Sequence, residues 1–311
     1  MGVGATLSGL AHLVWRILDG IRKALHLALL LFLFGFVLAL LHNAVPKLPG
    51  TAALVLAPEG RLVEQLSVDA VRRAIGEASG GPSPETLLPD LLEAIAAART
   101  DPRIKLILLD TGALTGGGLS KLQELGAALR DFRGAGKRVV AVGDSFDQAQ
   151  YYLAAQAGEV YLDPLGLVYI DGFSYYRTFL KGAVDKLGVD VNIFKAGTYK
   201  SFTDQFSRTD MAPTEREETS VWLGALWNAY QQDVTRARSL QPGAIMDYVT
   251  QAPAALAVVQ GDAAKLALQR GLVTALKSRR QVSDDLKTLV GEDSSTHSFN
   301  QVPMNEYLQV V

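Results

Sequence analysis

Lys200 lies in the run Gly197-Thr198-Tyr199-Lys200-Ser201, directly after a stretch in which Val189, Val191 and Ile193 alternate as in a strand. A loop leaving a rigid element can aim a side chain at a substrate. The chain has no cysteine and four histidines, His12, His26, His42 and His297, of which the first three lie in or beside an apolar N-terminal segment. If the globular part carries out proton transfer, a lysine becomes a serious candidate for the base, because imidazole and thiolate are nearly absent there. A solvated surface charge is the commoner fate of such a lysine, and the residues alone leave both readings open.

Candidate nucleophiles are plentiful and none carries a signature. No G-x-S-x-G elbow occurs. Ser145 falls in a strand-to-helix turn, where its neighbours Asp144 and Asp147 suit helix N-capping. Ser201 adjoins Lys200, and neighbours along an extended segment point to opposite sides, which makes it a poor dyad partner. Gly116, Gly117 and Gly118 precede a helix, where backbone N–H groups can hold a carboxylate or an oxyanion; a simple flexible turn is the other reading. Neither the Walker register nor G-x-G-x-x-G follows from them, since the next residues are Leu119, Ser120 and Lys121.

The elements that must position these residues alternate. Ala52 to Leu56 and Leu62-Val63 read as strands around the turn Pro58-Glu59-Gly60, and residues 76–84 as a loop. A helix opening at Ser83, with Pro84 in its first turn, is expected to carry Leu88, Leu91, Leu92 and Ile95 on one face, with a break or kink at Pro89. The apolar run Ile104 to Leu109 predicts a buried parallel strand. A helix with Leu119, Leu122, Leu125, Leu129 and Phe132 follows. Next come a strand over 139–142, a helix over 148–157, a strand over 160–162, a helix over 174–187 and a strand over 189–195. This order predicts an α/β fold with a mainly parallel sheet covered on both faces.

Beyond Lys200 the pattern turns helical. Thr214 and Glu217 have capping-box spacing, and Val221, Trp222, Ala225, Leu226, Trp227, Tyr230 and Val234 keep the helical period as core or subunit contact. Asp262 is expected to cap a helix ending at Gly271. Residues 291–300 are polar, and the final Tyr307 to Val311 read as the beginning of another element.

At 311 residues the chain can bury a substantial core, and its formal net charge of -2 gives no basic footprint for nucleic acid. Without cysteine and with one histidine outside the N-terminal region, neither a disulfide framework nor a common zinc site is expected. Residues 24–41 (ALHLALLLFLFGFVLALL) are long enough to cross a bilayer core. Arg16, Arg22 and Lys23 precede them and only Lys47 follows nearby, which places the N-terminus in the cytoplasm and the rest on the far side. A retained signal-anchor fits better than a cleaved signal peptide, given the late start and the poor cleavage site at residues 42–46; a buried core helix is the remaining alternative. The expected organisation is a cytoplasmic segment (1–23), an anchor (24–41), a linker (42–50) and one globular domain (51–311).

Several stretches together are similar to the N-terminal half of the long form in the bacterial signal peptide peptidase A (protease IV) family. They are Val140 to Ser145, Gln148 to Ala155, Pro164-x-Gly166, Gly172-Phe173, Phe194 to Ser201, Asp210-Met211-x-Pro213, Gly261 to Ala267 and Gly271-Leu272-Val273. The resemblance runs from about residue 22 to the end, with Gly-Thr-Tyr-Lys-Ser and its downstream helix as its most specific part. It implies a membrane-anchored serine peptidase on a crotonase/Clp-protease-like scaffold, in which one half supplies a lysine base and the other the nucleophilic serine. Lys200 matches the base. The serine position corresponds to Gln148, and the oxyanion-type turn of the other half corresponds to Gly116, Gly117 and Gly118. No cofactor is implied. The implied substrates are cleaved signal peptides, and the implied partners are the cytoplasmic membrane and further copies of the chain. This chain alone is then expected to lack peptidase activity. A non-catalytic membrane-anchored scaffold is the competing reading, and an acyl-thioester hydratase on the same scaffold fits the anchor badly.

Overall fold

The apolar runs of the sequence become parallel strands. The computed structural model describes residues 3–42, 48–67, 84–194, 196–197 and 199–311. In chain order the strands are β1 (Ala52–Leu56), β2 (Gly60–Val63), β3 (Glu85–Leu87), β4 (Ile104–Asp110), β5 (Leu114–Gly116), β6 (Arg138–Gly143), β7 (Glu159–Leu162), β8 (Ala275–Leu276) and β9 (Gln301–Pro303). Six of them form one sheet in the order β8-β7-β6-β4-β1-β9, and β3-β2-β5 form a second. All of these ladders are parallel, with Leu56 opposite Leu109 and Leu109 opposite Ala141. This is the α/β architecture expected from the strand–helix alternation.

The period of two divides the large sheet into two apolar faces. Leu54, Leu56, Ile107, Leu109, Val139 and Ala141 pack with the helices Leu88–Thr100, Leu119–Gly134 and Gln148–Ala155. Ala53, Leu106, Leu108, Val140 and Val142 face the opposite way, against Val282, Leu286 and Val290 of the helix Arg279–Val290. Each fully buried Leu or Val contributes about 1.5–3 kcal/mol relative to exposure, so both layers hold the sheet. The near-continuous apolar character of β4 and β6 follows from this double cover.

The helix Val3–His42 is described by itself. It runs for 40 residues and contains the stretch Trp15–Leu38, of mean hydropathy 2.0 and with none of it buried. That stretch is long and apolar enough to cross a membrane; it starts nine residues before the expected 24–41 and ends three residues short of its end. Most of the expected linker, residues 43–47, lies outside the described residues.

Local expectations fail where a short signal lacked its tertiary partner. Ser83 lies outside the described residues; Pro84 precedes β3, and the helix starts only at Leu88. Pro89 then sits in its first turn, where no N–H is missed, so no kink forms. The expected helix over 174–187 contracts to Lys181–Lys186. The expected strand over 189–195 does not form across the described residues 189–194, where Val189 and Val191 are exposed and no neighbouring strand takes their N–H groups. Lys195 lies outside the described residues. The capping box at Thr214 and Glu217 is also absent, because Pro213 already opens that helix and Ala212 is its cap. Capping boxes occur instead at Asp147/Gln150 and Ser278/Gln281. Asp262 caps as expected, accepting from Lys265 N at 2.8 Å. The polar 291–300 stretch leads into β9, which pairs with β1, and a last turn Met304–Tyr307 buries Tyr307.

Candidate active site

Gln148 is the first residue of the helix that follows β6, at the carboxyl end of the parallel sheet where ligands of α/β proteins gather. Asp147 caps this helix by accepting from Gln150 N at 2.8 Å, while Gln150 Oε1 accepts from Asp147 N at 2.9 Å. Both polar atoms of the Gln148 side chain are engaged. Its Nε2 donates to Gly172 O at 2.9 Å, and its Oε1 accepts from Gly172 N at 2.7 Å and Asp171 N at 3.2 Å. Its own carbonyl accepts from the Tyr230 hydroxyl at 3.1 Å. Burial holds Tyr230 well above the ordinary phenol range, so the hydroxyl keeps the proton it donates. Tyr230 stands in a cluster with Tyr152, Phe173 and Trp227, its ring stacked on Trp227 at 5.5 Å.

The serines and glycines of the sequence have structural partners. Ser145 Oγ accepts from Leu167 N at 3.2 Å. Asp144 does not cap; it takes the Arg279 Nε at 2.9 Å, and the same guanidinium bonds Asp110 at 2.5 Å. Gly116 and Gly118 adopt φ of +131° and +80°, and Gly118 caps the helix Leu119–Gly134 without a side chain. A Cβ on Gly117 would stand 2.6 Å from the Leu62 Cβ. Turn conformation and close packing therefore account for all three glycines.

Lys200 is exposed and makes no hydrogen bond or ion pair to another described residue. Gly197 folds over its stem: at φ +107°, a Cβ added to it would lie 3.6 Å from the Lys200 Cγ. Ser201 engages through its backbone carbonyl, which accepts from Asp204 N at 2.9 Å as the chain turns into the helix Asp204–Ser207. Exposed aromatic side chains flank the lysine, with Phe194 96% and Phe202 79% accessible and Tyr199 also open. No hydrogen bond or ion pair joins Lys200 to Gln148, Ser145 or Gly116 among the described residues. Sequence reasoning missed Arg177 and Glu215, which hold the backbone beside Lys200. The one signal was an arginine set among aromatics, from Phe173 to Phe179.

The model of the family described as "Peptidase family S49" matches residues 131–291. Protease 4 of Salmonella typhi is 32% identical over 309 residues, which are 97% of this chain and 50% of that protein. Protease 4 of Haemophilus influenzae is 34% identical over 304 residues, 94% of this chain and 49% of the other. The chloroplastic serine protease SPPA of Arabidopsis thaliana is 26% identical over 202 residues, 64% of this chain and 30% of that one. The chain thus spans about half the length of the two bacterial proteins it matches.

Proposed function

Because this chain belongs to peptidase family S49, a serine-type peptidase family, we propose that it is the base-supplying half of a membrane-anchored Ser/Lys endopeptidase. Lys200 is the general base, and the nucleophilic serine comes from a second half outside these 311 residues. The observation that supports this most directly is the contrast between two positions. Gln148 stands where the resemblance puts the serine and spends its side chain on Asp171 and Gly172, whereas Lys200 stands open and unpartnered among the described residues.

In such a site the neutral lysine amine takes the proton from the serine Oγ as Oγ attacks the peptide carbonyl carbon. The resulting ammonium returns that proton to the leaving nitrogen as the C–N bond breaks, and water then hydrolyses the acyl-enzyme. A lysine is a base only when neutral, a state that burial favours. Covering of the exposed Lys200 loop by the second half would supply that burial.

The substrates are apolar peptides, cleaved signal peptides above all. Phe194, Tyr199 and Phe202 offer exposed apolar surface on both sides of the lysine. The Trp15–Leu38 helix anchors the chain in the bacterial inner membrane, and Arg16, Arg22 and Lys23 favour an outer-face location for everything after residue 42. Further exposed apolar residues, Leu165 and Tyr176 among them, suit association with other copies.

A non-catalytic membrane-anchored scaffold is the second reading, favoured by the same engaged Gln148. The test compares signal-peptide hydrolysis by this chain alone with hydrolysis after it is joined to a serine-bearing second half. Activity in the joined form only is the expected result; none in either form leaves the scaffold.

A further inference from the structure

The segment carrying Lys200 is not held by a strand, so its backbone needs another anchor. Arg177, in the extended stretch before the helix Lys181–Lys186, provides one. Its Nη2 donates to Ser201 O at 2.8 Å and to Phe202 O at 2.6 Å, the carbonyls of the two residues immediately after Lys200. Its Nη1 pairs with the Glu215 carboxylate, in the first turn of the helix Pro213–Ala237. Both side chains are nearly closed off from water, at 12% and 5% accessible. Around them, Leu180 N donates to Gln205 O at 2.6 Å and Asp204 N to Ser201 O, and the guanidinium lies over the Phe179 ring at 5.7 Å.

We propose that Arg177 and Glu215 are a positioning pair that fixes the main chain at residues 201–202 and thereby the direction of Lys200, a role that rests on Lys200 being the base. The guanidinium grips carbonyls, not side chains, so it sets backbone direction whatever residues stand at 201 and 202. Arginine suits this because its rigid fork serves a carboxylate and two carbonyls at once, which an ammonium on a flexible stem does not match. Glu215 balances the buried charge from a helix N-terminal turn, where a carboxylate is favoured. Its second oxygen, Oε2, is buried without a hydrogen bond among the described residues, so the carboxylate has one dominant partner. General-base catalysis requires the amine within hydrogen-bond reach of the serine hydroxyl, and small misplacements of a catalytic group are costly.

The pair is tested by Arg177→Met, Arg177→Lys and Glu215→Gln, with Lys200→Ala as reference. In the 311-residue chain, amide hydrogen exchange at residues 199–206 is expected to rise about tenfold or more in Arg177→Met, with β1, β4 and β6 unchanged. Unchanged exchange at 199–206, or loss of protection across the whole sheet, would overturn the proposal. In the chain joined to a serine-bearing second half, kcat is expected to fall about a hundredfold with KM within about threefold. Arg177→Lys, which keeps the charge but not the fork, should lose part of both readouts and serves if Arg177→Met does not fold. Normal kcat and exchange in folded Arg177→Lys and Glu215→Gln would refute the pair even if Lys200→Ala is inactive. Normal turnover by Lys200→Ala would instead refute the base assignment on which the pair depends.

Discussion

The Gln148 side-chain amide closes on the backbone of Gly172 in both directions, donating to its carbonyl at 2.9 Å and accepting from its N–H at 2.7 Å. A primary amide can make this two-way contact; a serine hydroxyl at the end of one Cβ–O bond is too short to do so. Position 148 thus ties the start of the helix after β6 to the segment that runs on toward Lys200.

Removing that clip should loosen the 171–172 segment. Gln148→Ala leaves two backbone N–H groups and one carbonyl without their partner, at a cost of about 1–3 kcal/mol. Urea denaturation of the chain measures this directly, and a loss below about 0.3 kcal/mol would show that water replaces the clip without cost.

Gly166 separates close approach from conformational freedom. A Cβ there would stand 2.0 Å from the backbone oxygen of Asp144, which cannot rotate away. Gly166→Ala should destabilise by about 1–3 kcal/mol. Gly134→Ala, at a helix end with nothing within 4 Å, should be neutral or stabilising by up to about 1 kcal/mol. Equal effects of the two substitutions in thermal melts would contradict the packing argument.

Asp101 gives the fold an acid-sensitive contact. Its side chain accepts from Arg103 Nη2 at 2.7 Å and from the Tyr307 hydroxyl at 3.1 Å, and Arg103 above all lowers its pKa from 3.8 to about 2. A depressed carboxylate stabilises the folded state fully above its unfolded value and loses that contribution as pH falls through the folded one. Asp101→Asn should therefore cost on the order of 2 kcal/mol at pH 7. The gap from the wild type should close between about pH 4 and pH 2. A gap of constant size over that range would contradict the assignment.

The parallel strands were legible because each is a short, nearly unbroken apolar run, as in Ile104 to Leu109 and Val139 to Val142. The Asp262 cap was legible because it acts within four residues. Alternation at Val189, Val191 and Ile193 misled, since a period of two records propensity but not whether a strand lies alongside. Thr214 misled because Pro213 has the stronger claim on the helix start. Lys200 and Gln148 were singled out by motif alone. Their settings were not legible, because Gly172 lies 24 residues from Gln148 and Glu215 lies 38 from Arg177.

The N-terminal helix carries its own prediction. A chain retaining Trp15–Leu38 should stay with membranes after alkaline carbonate washing, whereas residues 48–311, which hold the whole described core, should be soluble without detergent. Recovery of the full chain in the aqueous fraction would rule out an anchor.

The most direct measurement is turnover of a synthetic signal peptide by the joined two-half enzyme with Lys200→Ala, its fold checked by circular dichroism. A loss of about 10²–10⁴-fold in kcat, with the 311-residue chain inactive alone, is the predicted result. Normal turnover by Lys200→Ala, or hydrolysis by the purified 311-residue chain, would contradict the account.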